Sequence, residues 1–180
     1  MRIISGKHKG KRLVAPKKLP VRPTTDFAKE ALFNILNNSF YFDNISVLDL
    51  FSGTGNISYE FASRGTKSIT SVDGHYGCVA YIKKTAEELE LPIATIKSDV
   101  FSYLQKVPVK ADIVFADPPY DFSTTDFFRI ITLVFAEISN QDALLIIEHS
   151  KHTSLEDHQL FSYEKRYGGS VFSFFSQKEE

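Results

Sequence analysis

Val47-Leu48-Asp49-Leu50-Phe51-Ser52-Gly53-Thr54-Gly55-Asn56-Ile57 decides the fold. Val47 to Phe51 is apolar enough for a buried strand, Gly53 and Gly55 punctuate a turn, and a helical pattern begins at Ile57 and runs to Ser63. A strand that passes through a glycine turn into a helix lets the backbone approach a ligand closely at the strand's carboxyl end. Outward from it the same alternation repeats. Ile69 to Val72, Ile93 to Ile96, Ile113 to Ala116 and Ala143 to Ile147 read as strands, and Tyr76 to Leu89, Ser98 to Gln105 and Thr125 to Ile138 read as helices between them. These strands are apolar throughout rather than at every second residue, which predicts an α/β domain with a mainly parallel sheet covered by helices on both faces. The chain ends differently: Leu160 to Tyr167, Gly168-Gly169 and Ser170 to Ser176 read as an antiparallel hairpin.

Upstream of the sheet, Phe27, Ala31, Leu32, Ile35 and Leu36 fall at helical spacing and predict a helix from Asp26 to Asn38. Residues 15–24 carry Pro16, Pro20 and Pro23 and read as an extended connector. The first 25 residues hold Arg2, Lys7, Lys9, Lys11, Arg12, Lys17, Lys18 and Arg22 with no acid, although the whole chain has a net charge of −1. Such a basic arm is the electrostatic footprint of a nucleic-acid contact. Within it Ile3-Ile4 and Leu13-Val14 flank a turn punctuated by Gly6 and Gly10, so a short hairpin is expected rather than a solvated tail.

With 180 residues, 43% of them hydrophobic and 24% charged, the chain has the composition of one globular domain: an arm over 1–25 and a catalytic-type α/β domain over 26–180. It contains no apolar run of membrane-spanning length, its basic start lacks a signal peptide's apolar core, and its single cysteine, Cys78, excludes an internal disulfide. A cytoplasmic monomer is the expectation. His149 and His152 lie three apart with no further ligand nearby, so no metal is expected.

The expected strand ends read Asp49 to Gly55, Asp73-Gly74, Ser98-Asp99-Val100, Asp117-Pro118-Pro119-Tyr120 and Glu148-His149, each with an acid. In an open α/β sheet that is where a ligand binds. Asp73 stands at the distance from the glycine turn where a ribose-binding acid is found, but Ser58 takes the place of the third glycine of a dinucleotide fingerprint. A nucleoside without a pyrophosphate fits this pattern, with Asp99 toward an adenine amine and Asp49 toward a charged amino-acid end. At Asp117-Pro118-Pro119-Tyr120 two prolines stiffen the chain and remove competing N–H donors. The Asp117 carboxylate and the carbonyls there form a rigid acceptor array for a planar amine, and Tyr120 can cover its ring.

Val47 to Gly55, Asp73, Asp99 and Asp117 to Tyr120 resemble the motifs of class I S-adenosylmethionine-dependent methyltransferases acting on exocyclic amines. More narrowly, Arg2 to Leu13, Arg22-Pro-Thr-Thr-Asp26, Glu30 to Asn34 and Tyr167-Gly-Gly-Ser-Val171 resemble the RsmD-like family, along the whole chain. The resemblance implies a Rossmann-like, seven-stranded sheet and methylation of a guanine N2 in 16S ribosomal RNA, free or in a small-subunit assembly intermediate. It implies S-adenosylmethionine held by Asp49, Phe51, Gly53, Gly55, Asp73, Gly74, Asp99, Val100 and Asp117. Catalysis falls to Asp117, Pro118, Pro119 and Tyr120, and RNA contact to Arg2, Lys7, His8, Lys9, Lys11, Arg12 and Arg22. Phe27, Asp73 and Lys84-Thr85 depart from the family's usual Arg, Glu and Asn. The alternatives are an amine methyltransferase on DNA adenine N6 or a protein glutamine, and a non-catalytic RNA-binding assembly factor.

Overall fold

A computed structural model describes residues 1–19, 24–136, 140 and 142–177. Helix α1 (Asp26–Asn37) precedes a sheet whose parallel strands are β1 (Ser46–Leu50), β2 (Ser68–Asp73), β3 (Ile93–Lys97), β4 (Ile113–Ala116) and β5 (Leu144–Ser150). Helices α2 (Asn56–Ser63), α3 (Tyr76–Glu88), α4 (Val100–Lys106) and α5 (Thr124–Ala136) connect them, and β6 (Phe161–Tyr167) and β7 (Ser170–Phe175) close the chain. The expected end of α5 at Ile138 lies outside the described residues. The spatial order is β3-β2-β1-β4-β5-β7-β6, with β7 antiparallel to both its neighbours.

Alternation along each strand explains why the sheet is apolar throughout. Leu48, Leu50, Val114, Ala116, Leu145 and Ile147 face a core closed by α4 and α5 through residues such as Leu104, Phe127 and Ile131. Val47, Ile113, Phe115 and Ile146 face the opposite core, closed by Leu32, Phe33 and Leu36 of α1 and Phe61 of α2. Strand order reverses between β1 and β4, which pair in parallel with Leu50 opposite Ala116. Phe51 and Asp117 therefore leave the sheet side by side at its switch point, where a crevice opens.

The N-terminal arm is ordered as the expected short hairpin: Arg2 and Arg12 form an antiparallel bridge, the Ile3 N–H donates to the Lys11 carbonyl at 2.9 Å, and Met1 and Leu13 exchange backbone bonds of 3.2 and 3.0 Å. The hairpin also docks on α2. Ile4 and Ser5 donate backbone N–H bonds of 2.8 and 3.0 Å to the Glu60 carboxylate, and Lys7 donates to the Ser63 carbonyl at 2.7 Å. At Gly6, φ is +82° and a Cβ would lie 1.8 Å from the Ser63 oxygen, so only glycine lets the arm sit this close. Every residue of α2 is consequently buried.

The buried ammonium of Lys29 holds this junction. It donates 2.6 Å to the Arg2 carbonyl and 2.8 Å to Asn56 Oδ1, and lies 3.5 Å from the Glu60 carboxylate. Burial lowers the Lys29 pKa, and Glu60 opposes that shift. An ion pair so enclosed is tolerated because the remaining donors and acceptors are satisfied.

Candidate active site

The chain leaves β1 through a strained turn. Phe51 has φ +55°, a left-handed conformation uncommon for an aromatic residue, and Gly53 and Gly55 follow at +52° and +81°. A Cβ at Gly55 would lie 2.9 Å from both the Tyr59 ring and Ile82, so the second glycine is required by space as well as by φ. The turn is tied to the next strand: the Gly53 N–H donates to one Asp73 oxygen at 2.8 Å, and the His75 N–H to the other at 2.7 Å. Asp73 thus builds the wall with two lone-pair sites and retains others for a ligand hydroxyl.

The turn and the neighbouring strand ends enclose a cavity of about 430 Å³. It brings together Asp49, Phe51, Gly53, Asp73, Gly74, Asp99, Val100, Asp117, Pro118, Pro119 and Tyr120. Gly55 stands behind the wall and shapes it without lining it. Asp99 caps α4, accepting from the Ser102 N–H at 2.8 Å. That cap starts the helix at Val100 rather than at the expected Ser98.

Asp49 lies within β1 and is 2% exposed. Burial pushes its carboxyl up to about 7, against a short 2.5 Å bond from the Ser58 hydroxyl. Ser58, itself fully buried, also lies 2.7 Å from the Ser71 hydroxyl. The serine that replaces the third fingerprint glycine therefore orients an acid. An acid poised near neutrality inside a cavity is suited to a cationic group, which would draw it back to its charged form.

Asp117 is partly open to the cavity, Pro118 is buried behind it, and Tyr120 is 70% exposed at the rim. Burial raises the Asp117 pKa well above the ordinary carboxylate range, with Glu148 and Asp49 adding like-charge repulsion. Glu148 was expected at the end of β5, yet the strand continues to Ser150 because β7 pairs with it there after β4 has stopped at Ala116, opposite Ile147. Glu148 does not line the cavity. Burial raises its pKa, while hydroxyl bonds from Ser170 at 2.7 Å and Thr24 at 2.5 Å act to lower it.

Thr24 and Asn56 line the cavity and were not singled out from the sequence. Asn56 donates 2.9 Å to the Thr24 carbonyl and accepts from Lys29, so a continuous buried network runs from Glu148 through Thr24, Asn56 and Lys29 to the arm. The sequence signal for Thr24 was its place in Arg22-Pro-Thr-Thr-Asp26, where Thr25 supplies the cap of α1.

Among the described residues, none of those expected to contact nucleic acid lines the cavity. Arg2, Lys7, Lys9, Lys11 and Arg12 are exposed on the arm, His8 is half-buried, and Arg22 lies outside the described residues. Lys11 and Arg12 line a separate groove of about 640 Å³ against α3, shared with Tyr81 and Lys84.

The sheet order and the acid-lined crevice at its switch point define a class I methyltransferase. The family described as conserved hypothetical protein 95 matches residues 1–176, and the chain belongs to that RsmD-like family. It is 32% identical over 151 residues to ribosomal RNA small subunit methyltransferase D of Buchnera aphidicola subsp. Baizongia pistaciae, covering 82% of this chain and 75% of that one. The Escherichia coli K12 protein of the same name is 31% identical over 121 residues, 67% of this chain and 60% of its own. Among solved structures, yhhF of Escherichia coli superposes with a TM-score of 0.85 at 26% identity, covering 100% of this chain and 99% of its own.

The residues present fit S-adenosylmethionine, the methyl donor of this class. The glycine turn and Asp73 can hold a ribose, Asp99 and Val100 an adenine, and Asp49 a charged amino group. No described helix is long and apolar enough to cross a membrane.

Proposed function

We propose that the protein methylates the exocyclic N2 of a guanine in small-subunit ribosomal RNA, working as a cytoplasmic monomer on RNA or on an assembling subunit. The observation that carries the reading is that Asp117-Pro118-Pro119-Tyr120 lines the same cavity as the glycine turn and Asp73. A methyl donor and a planar amine would share that cavity. The names of the relatives, ribosomal RNA small subunit methyltransferase D, support the choice of RNA over DNA or protein. The exposed basic residues of the arm support it as well.

The methyl donor supplies an electrophilic carbon on a sulfonium. Guanine N2 is a weak nucleophile because its lone pair is delocalised into the ring. Asp117 accepts a hydrogen bond from the amine and the Pro118 carbonyl accepts a second, which localises the lone pair and aligns it. Tyr120, exposed at the rim, stacks on a base swung out of its helix. The raised proton affinity of Asp117 suits it to receive the proton that the nitrogen loses once methylated, and a cation beside it favours its ionised form until then.

The test is transfer of labelled methyl groups to small subunits or their RNA from a strain lacking the gene, with DNA and protein as competing acceptors. Wild-type protein should label RNA alone. Asp117→Ala should abolish transfer while holding cofactor affinity within a few-fold. Label confined to DNA or protein would overturn the reading, and substantial turnover by the variant would remove Asp117 from catalysis.

A further inference from the structure

Phe27 is 66% exposed in the first turn of α1, where an apolar ring has no reason to face water. Its surroundings are ordered. The ring meets Tyr167 in a T-shaped contact of 6.1 Å, and Tyr167 is backed by Phe172 at 6.2 Å. Tyr167 pairs with Ser170 across the β6–β7 turn, and Ser170 donates to Glu148 beside Asp117. On the other side, Thr24 lines the cavity three residues before Phe27 and binds the same Glu148. The Phe27–Tyr167 pair is thus linked through Thr24 and Ser170 to Glu148, the acid that helps to raise Asp117. Next to it, Asp26 neutralises part of the charge of Arg2, whose side chain remains half-exposed.

We infer that Phe27, held by Tyr167, is a stacking platform for a base of the substrate RNA flanking the methylated guanine, with Arg2 meeting an adjoining phosphate. This inference rests on the RNA reading above. An exposed ring beside an exposed guanidinium matches single-stranded RNA, whose splayed bases stack on aromatic faces while the backbone needs cations. Tyr120 at the rim would hold the target base, and Phe27 its neighbour, so the two rings together would keep the extruded strand open.

Four proteins are compared: wild type, Phe27→Ala, Phe27→Leu and Phe27→Trp. KM for the RNA substrate, kcat and cofactor affinity are measured on each, together with equilibrium binding of deproteinised small-subunit RNA. Stacking of one base predicts that Phe27→Ala raises KM and weakens RNA binding by roughly tenfold, with cofactor affinity unchanged. Phe27→Leu should fail to restore binding and Phe27→Trp should restore it, which a merely apolar packing role would not produce. Equal KM and equal RNA binding in all four would overturn the platform while leaving the RNA reading intact. A KM defect on particles with undiminished binding of deproteinised RNA would assign the surface to a ribosomal protein and also overturn it. Failure of wild type to methylate any RNA would overturn the functional reading itself, and the platform with it.

Discussion

Asp49 should make cofactor affinity depend on pH in the neutral range. Its carboxyl is pushed up to about 7 by burial, and the Ser58 bond only partly opposes this. A group with that pKa is mostly charged at pH 8 and only about one-tenth charged at pH 6. Because a cationic amino group binds the charged form, affinity for S-adenosylmethionine should weaken by about tenfold between those values, and a proton should be released on binding below pH 7. Calorimetry in two buffers of different ionisation enthalpy measures both quantities. Adenosine, which lacks the amino group, should bind with little change over the same range, and Asp49→Asn should remove the dependence while lowering affinity at pH 8. The stability of the free protein must move the other way. A carboxyl whose folded pKa lies above its ordinary value of 3.8 stabilises the fold while protonated, and that stability is lost as pH rises from about 4 to about 7. Asp49→Asn should accordingly raise the Tm of the free protein at pH 8. An affinity that stays flat from pH 6 to 8 would refute the assignment of Asp49 to the amino end.

The buried pair should be intolerant of single changes. Lys29→Met leaves Glu60 charged and buried with less compensation, costing about 3–5 kcal/mol, read as a lower denaturation midpoint and early proteolytic cleavage within residues 1–13. Gly55→Ala forces a Cβ to 2.9 Å from the Tyr59 ring at a φ of +81°, and cofactor binding should be lost or weakened by more than tenfold in calorimetry, a shift above about 1.4 kcal/mol. Glu148→Gln removes the charge that helps to raise Asp117, so the acid limb of the pH profile of kcat/KM should move to lower pH. Neutralising Lys7, Lys9 and Lys11 together should weaken RNA binding uniformly across sequences and flatten its salt dependence, as titration at several ionic strengths would reveal.

Much of the fold was legible because a parallel sheet covered on both faces writes itself as short, fully apolar runs. Ile113 to Ala116 matched to the residue, and the other strands differed by one to three residues at an end. Helix starts shifted where a side chain intervened, as when Asp99 capped α4. The hairpin of the arm was legible from Ile3-Ile4 and Leu13-Val14, but its docking was not: Ile3 and Leu13 pack against Tyr59 and Ile82, and the backbone donors of Ile4 and Ser5 go to Glu60. No local pattern announces a pairing with a helix so distant in the chain. The same limit hid Lys29 and Asn56, which look like ordinary polar positions of their helices until the fold brings them together. In the cavity, acids at strand ends were visible from the alternation alone. Glu148 was visible as an acid but misplaced, because the extension of β5 depends on its antiparallel partner β7.

The central claim, that the Asp117-Pro118-Pro119-Tyr120 end of the cavity receives a guanine amine, is tested most directly by the chemical identity of the product. Small-subunit RNA labelled by the protein is digested to nucleosides and separated by chromatography with mass detection. The label should co-migrate with N2-methylguanosine and vanish with Asp117→Ala. Label in a methylated adenosine, or in a guanosine methylated on any other atom, would contradict the account.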